Sequence, residues 1–184
     1  MEASAEKSVT KANVLVLLSG GIDSTACVAY YQSLGYDVSS LFIDYGQPEA
    51  RLERAAAIAI AEYYVIPLKQ LGVLGYKAPE GYVPARNAML LSAGLMSFDY
   101  GYGIIALGIH AGTPYADCSP DFEQAMQRVF DLYSQGRVRI DAPFLHWTKD
   151  QIWDYAQMTG VPLVLIQSNN LNSLHPKADW LRAG

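Results

Sequence analysis

The stretch VLVLLSGGIDSTA, Val14 to Ala26, constrains this chain's fold more than any other. An unbroken apolar run of this kind reads as a strand buried on both faces, as in a parallel sheet. Ser19-Gly20-Gly21 then bends the backbone where a side chain would collide, leaving successive N–H groups free to face an anion. A helix starting near Ile22 adds its positive end. The stretch therefore reads as a phosphate seat at the carboxyl end of a strand, where open α/β sheets bind ligands. It has neither the lysine of GxxxxGK[ST] nor the GxGxxG spacing. The alternative is a tight glycine turn in which Asp23 or Ser24 only caps the helix.

The pattern repeats downstream. Asn13 to Leu18 is the first predicted strand, and a helix over Ile22 to Leu34 closes at Gly35. Asp37 to Ile43 is the second strand. Pro48 suits the first turn of an alanine-rich helix reaching Tyr63, and Tyr64 to Pro67 is a short third strand. Lys69 to Tyr82 is expected to be irregular, as binding loops often are. Pro84 to Asp99 is expected to be helical, with Met89, Leu90, Ala93 and Leu95 on its apolar face. Gly103 to Leu107 is the fourth strand, Asp121 to Tyr133 an amphipathic helix and Arg137 to Ile140 a fifth strand. Thr148 caps a helix over Lys149 to Met158 that Gly160 ends. Strands alternating with helices predict an α/β fold: an open parallel sheet with helices on both faces.

With 184 residues the chain is expected to form a single domain, residues 1–12 being a flexible leader and residues 162–184 an irregular tail. Asp179 to Leu181 is a candidate docked end. Apolar residues make up 51% and charged residues 17%, which excludes general disorder. The low charge and 13 tyrosines suggest surface covered by a subunit partner, a homodimer being the expected assembly. A formal net charge of -5 argues against nucleic acid as a partner. No apolar run is long enough to span a membrane, so no membrane association is expected and the cytoplasm is the expected compartment. Cys27 and Cys118 fit no CxxC spacing and cannot build a thiolate zinc site. Cys118 reads as a buried thiol.

Polar groups collect where strands end. Asp44 can hold a ribose, position magnesium or cap its own turn. Asp23 beside a polyphosphate is repulsive unless it accepts a proton-bearing group or reaches Mg²⁺, and the latter makes metal-bridged ATP a sensible ligand. Arg86 puts a cation at the start of a helix, an unfavourable place unless an anion or carboxylate joins it. Asn87 beside it can orient an oxygen or cap the helix. Lys149 has the same unfavourable position and is either a second phosphate candidate or a plain surface lysine. Asp117 can accept hydrogen bonds from an amino-bearing heterocycle, and Tyr115 or Phe122 can stack on the same ring. Ser119 followed by Pro120 is an ordinary helix start.

Ser19-Gly20-Gly21-Ile22-Asp23-Ser24 matches the SGGxDS motif of the PP-loop ATP pyrophosphatases, which adenylate an oxygen and release pyrophosphate. Four further islands narrow the resemblance: Phe42-Ile43-Asp44-Tyr45-Gly46-Gln47, Tyr82-Val83-Pro84-Ala85-Arg86-Asn87, Tyr115 to Phe122, and Leu145 to Ile152. Their order and spacing are similar to those of the QueC family, the 7-cyano-7-deazaguanine synthases, from about Val14 to Gly160. The resemblance implies an adenine nucleotide alpha hydrolase-like (Rossmann-like) fold and an ATP-dependent, AMP-forming carbon–nitrogen ligase of queuosine-precursor synthesis. It implies 7-carboxy-7-deazaguanine and ammonia as substrates, preQ0 as product, and ATP with Mg²⁺ as cofactors. Ser19, Gly20, Gly21, Asp23 and Ser24 would hold pyrophosphate and magnesium, with Asp44 near the nucleotide. Arg86 and Asn87 would face the reacting carboxyl and phosphate, Lys149 would contact phosphate, and Tyr82, Tyr115, Asp117 and Phe122 would contact the deazaguanine.

Two departures stand out. The family carries a four-cysteine zinc site in its C-terminal part, whereas no cysteine follows Gly160 here, so zinc is expected to be absent. The family's YVPGRN pattern reads YVPARN. A diverged ligase for another carboxylate and a nucleotide-binding paralogue without turnover are the alternative readings.

Overall fold

In a computed structural model the described residues are 12–99, 101–110 and 112–167. Residues 1–11 and 168–184, which include the candidate docked end and all of the leader but Ala12, lie outside them. Five parallel strands, β1 (Asn13–Leu17), β2 (Asp37–Asp44), β3 (Leu68–Gly72), β4 (Gly103–Leu107) and β5 (Val138–Asp141), form one sheet in the order β3-β2-β1-β4-β5. The helices are α1 (Ile22–Ser33), α2 (Ala50–Tyr64), α3 (Arg86–Met96), α4 (Pro120–Ser134) and α5 (Lys149–Met158).

Alternation along the central strands builds two cores. Leu15 and Leu17 of β1, Leu41 and Ile43 of β2, and Ile105 and Leu107 of β4 face α3 and α4, meeting Leu91, Met126 and Phe130. Val14 and Val16, Val38 and Phe42, and Ala106 face α1, α2 and α5, meeting Cys27, Ile60 and Ile152. Both faces are thus covered by helices, as the sequence predicts, because side chains of one strand alternate between opposite layers. A buried side chain such as Phe130 contributes about 1.5–3 kcal/mol by leaving water.

The third strand differs from expectation. Tyr64 ends α2, Val65 turns the chain at φ 54°, and the ladder begins at Leu68, so Lys69 to Gly72 belong to β3. Pairing with Ser40 to Asp44 decides this, and the half-buried, mixed sequence LKQLG carries no edge-strand signal. Pro48 lies two residues before α2, in the turn closed by Ala50 N–H to the Gln47 carbonyl at 3.1 Å. Helix α3 starts later than predicted because Ala85 adopts φ 60°, ψ 16° before Arg86, and it ends earlier, at Met96, with Ser97 as its C-cap. The caps of α4 and α5 match expectation. Ser119 accepts the Phe122 N–H with Pro120 next to it, and Thr148 forms a reciprocal capping box with Gln151.

From β1 the chain steps outward to β2 and β3 on one side, while β4 and β5 lie on the other. The carboxyl ends of β1 and β4 therefore border the crevice where an open sheet of this topology takes its ligand.

Candidate active site at the carboxyl ends of β1 and β4

A pocket of about 230 Å³ opens at that crevice, and Ser19, Asp23, Ser24, Arg86 and Asn87 line it. Glycine is required at two places. Gly20 has φ +82°, and a Cβ there would lie 2.7 Å from the Ala56 Cβ and 2.8 Å from the Glu53 carbonyl oxygen, both on α2. At the end of β4, a Cβ on Gly108 would meet the Asp23 carbonyl carbon and the Ser24 nitrogen at 2.7 Å. The loop after β1 is therefore wedged between α2 and β4.

Within the loop, the buried Ser24 hydroxyl donates to the Gly21 carbonyl at 3.0 Å and accepts the Ser19 N–H at 3.2 Å. Thr25 Oγ1 donates to the same Gly21 carbonyl at 2.8 Å. These bonds shape the turn, while α1 begins with no side-chain cap. Its first-turn N–H groups are thereby suited to an anion. Asp23 projects from that turn, and Lys149 Nζ holds its two carboxylate oxygens at 2.7 and 2.6 Å. Two residues that the sequence offered separately thus meet from α1 and α5. His110 lies beside them. Burial lowers its pKa, the Asp23 charge raises it and the Lys149 charge lowers it.

Arg86 enters the pocket from the start of α3, with its Nε donating to Asn87 Oδ1 at 3.2 Å. Asn87 is buried, and its Nδ2 donates to the Asp117 carbonyl at 2.9 Å. The Asp117 carboxylate accepts the Asn87 backbone N–H at 3.3 Å. Asn87 and Asp117 thus tie the turn Ala116–Cys118 to the base of Arg86. Tyr82 and Tyr115 stack on each other, with centroids 4.9 Å apart and an interplanar angle of 11°. Phe122 packs against the α3/α4 core, and Asp44 pairs with Arg54 at 2.6 Å while lining a separate cleft beside β3.

Among the described residues no group of three His, Cys, Asp or Glu side chains can hold a metal. Asp23 fits magnesium as a single ligand to an ion arriving on polyphosphate, the usual way this cation is bound. Cys27 and Cys118 are both buried, and burial pushes the Cys27 thiol pKa well up.

The family model described as "Queuosine biosynthesis protein QueC" matches residues 13–75 and 68–170, which include the phosphate loop, Arg86 and Lys149. This chain belongs to the QueC family. A 7-cyano-7-deazaguanine synthase from Desulfitobacterium hafniense (strain DSM 10664 / DCB-2) is 36% identical over 180 residues, covering 81% of this chain and 76% of that one. Another from Synechococcus sp. (strain RCC307) is 32% identical, covering 88% and 86%. The predicted subunit of tRNA methyltransferase from Methanocaldococcus jannaschii DSM has the same fold, with TM-score 0.53 and 18% identity, covering 79% of this chain and 74% of that one.

In this QueC chain the pocket also contains Tyr45, Gln47 and Glu53, which sequence reasoning passed over as ligand-facing groups. The buried Gln47 amide donates to Glu53 Oε2 at 2.7 Å and to the Ile43 carbonyl at 3.2 Å, and its Oε1 accepts the Tyr45 N–H at 2.9 Å. Burial raises the Glu53 pKa. A glutamate in the first turn of a helix already has a dipole explanation, so nothing in the linear sequence set Glu53 apart.

Proposed function

We propose that this chain adenylates the carboxylate of 7-carboxy-7-deazaguanine with ATP and uses ammonia to form 7-cyano-7-deazaguanine, releasing AMP and pyrophosphate. The observation that carries the reading is the opening of the phosphate loop and Arg86 onto one pocket at the switch point of the sheet. Relatives named 7-cyano-7-deazaguanine synthase, 30–36% identical to this chain, support the choice of acid.

A carboxylate is a poor acyl donor because oxide is a poor leaving group. Attack of its oxygen on the α-phosphate expels pyrophosphate and leaves AMP as the leaving group. The loop N–H groups after Ser19, Gly20 and Gly21 are fixed donors for the charge that develops, and magnesium on the polyphosphate adds the Lewis-acid chemistry. Arg86 offers a planar fork to carboxylate or phosphate, held in place by Asn87. When a polyphosphate arrives beside Asp23, Lys149 is placed to turn from the carboxylate to phosphate. Ammonia displaces AMP to give the amide. Adenylation of the amide oxygen and loss of AMP then give the nitrile.

The stacked Tyr82–Tyr115 pair and Asp117 are assigned to the deazaguanine end, with the ring stacking on an outer tyrosine face. Asp44 is assigned to the nucleotide, which requires release from Arg54. Phe122 supports this wall from within the core. The chain is assigned to the cytoplasm as a homodimer, and exposed Leu132 and Tyr133 on α4 are surface that a second copy can cover. No helix among the described residues is long and apolar enough to cross a membrane.

The test is incubation with 7-carboxy-7-deazaguanine, MgATP and ammonium, resolving AMP from ADP and identifying the product by mass. Nitrile with AMP supports the assignment. AMP formed only with another acid points to a diverged ligase. Nucleotide binding with no AMP identifies a binding paralogue.

A further inference from the structure

Amide formation needs ammonia as the free base, whereas ammonium dominates at neutral pH. A pocket that takes up ammonium itself needs an anionic group to bind the cation and take its proton. The lining of this pocket contains two carboxylates. Asp23 has both oxygens on Lys149. Glu53 has one oxygen on the neutral Gln47 amide, and its Oε1 has no hydrogen-bond partner among the described residues.

Glu53 is also held in place from two sides. Its own carbonyl abuts Gly20, so the backbone that carries it is packed against the phosphate loop. Gln47, anchored at both ends to the strand exit of β2, fixes the carboxylate. Resting on the adenylation reading above, we propose that Glu53 is the catalytic residue that binds ammonium and acts as its general base.

The step balances as follows. Ammonium gives one proton to Glu53 Oε1, and the freed lone pair forms the C–N bond at the adenylate carbonyl carbon. The C–O bond to AMP breaks, its electron pair leaving on the phosphate oxygen. The excess proton on nitrogen passes to that departing phosphate, and Glu53 then returns its proton to solvent. Burial makes Glu53 a stronger base than an exposed carboxylate, with Glu49 and Asp44 acting in the same sense. Gln47 and Arg86 act oppositely, and the Arg86 charge is offset once it holds substrate.

The experiment separates the half-reactions in the full chain. Glu53→Gln keeps an acceptor for Gln47 and removes the base. Carboxylate-dependent exchange of labelled pyrophosphate into ATP, which uses no ammonia, is expected to stay within about twofold of wild type. Ammonia-dependent product is expected to fall about 10²–10⁴-fold. Hydroxylamine, a nucleophile that is uncharged at neutral pH, is expected to trap the adenylate at a near wild-type rate. Glu53→Asp, which keeps a carboxylate, is expected to retain more ammonia-dependent rate than Glu53→Gln. Equal losses of exchange and product in Glu53→Gln, or an unchanged ammonia rate, would overturn the role. Wild-type protein without exchange overturns the adenylation reading itself, and the role with it.

Discussion

Lys149 of α5 holds both carboxylate oxygens of Asp23, 126 residues earlier in the chain, at 2.7 and 2.6 Å. The side chains are 20% and 24% exposed, so water screens the pair only in part. Lys149→Ala should weaken ATP binding about 10- to 100-fold, the loss expected when a charge-assisted contact to phosphate is removed. A nucleotide titration reads this directly. A double-mutant cycle with Asp23→Asn should give a coupling of about 1–2 kcal/mol in the unliganded protein. Unchanged nucleotide affinity in Lys149→Ala would mean that the pair is structural only.

His110 reports on the same pair. Its folded pKa lies below the ordinary value of 6.5, burial being the largest cause. Its contribution to stability is therefore present above pH 6.5 and lost as pH falls through the lowered value. Lys149→Ala should move the His110 pKa up, and Asp23→Asn should move it down. An NMR titration of the ring checks both signs.

Ala85 stands where the related pattern YVPGRN has glycine, and its φ of 60° is the left-handed conformation that glycine adopts without strain. Ala85→Gly should raise stability by about 1 kcal/mol, or about 2–4 °C in Tm for a chain of this size. Thermal denaturation of the two proteins decides it, and a lower Tm would contradict the strain.

Gly108→Ala tests the wedge at the end of β4. The new methyl would press on the Asp23 and Ser24 backbone at 2.7 Å, at a residue whose φ needs no glycine. The fold is expected to survive with a loss of about 1–3 kcal/mol. Pyrophosphate exchange is expected to drop at least about tenfold, because small displacements of a reacting site are costly. Circular dichroism alongside the exchange assay separates the two effects.

Much of this arrangement is legible in the sequence. The apolar run into Ser19-Gly20-Gly21 specified a buried strand and an anion-facing turn, and Gly35, Ser119, Thr148 and Gly160 punctuated their helices as their chemistry requires. The third strand was not legible, because Leu68–Gly72 gains its structure from pairing with β2 and has no periodicity of its own. Within the site, Arg86 and Lys149 announced themselves as cations at helix starts. Their partners did not, since the meeting of Lys149 with Asp23 and of Asn87 with Asp117 depends on tertiary packing. Glu53 was hidden because its place in the helix already explained it.

Transfer of heavy oxygen from the labelled carboxylate of 7-carboxy-7-deazaguanine tests adenylation most directly. If the carboxylate oxygen attacks the α-phosphate, the label must appear in AMP when ammonia displaces it. Label in inorganic phosphate, with ADP as the nucleotide product, would contradict this and indicate attack at the γ-phosphate instead.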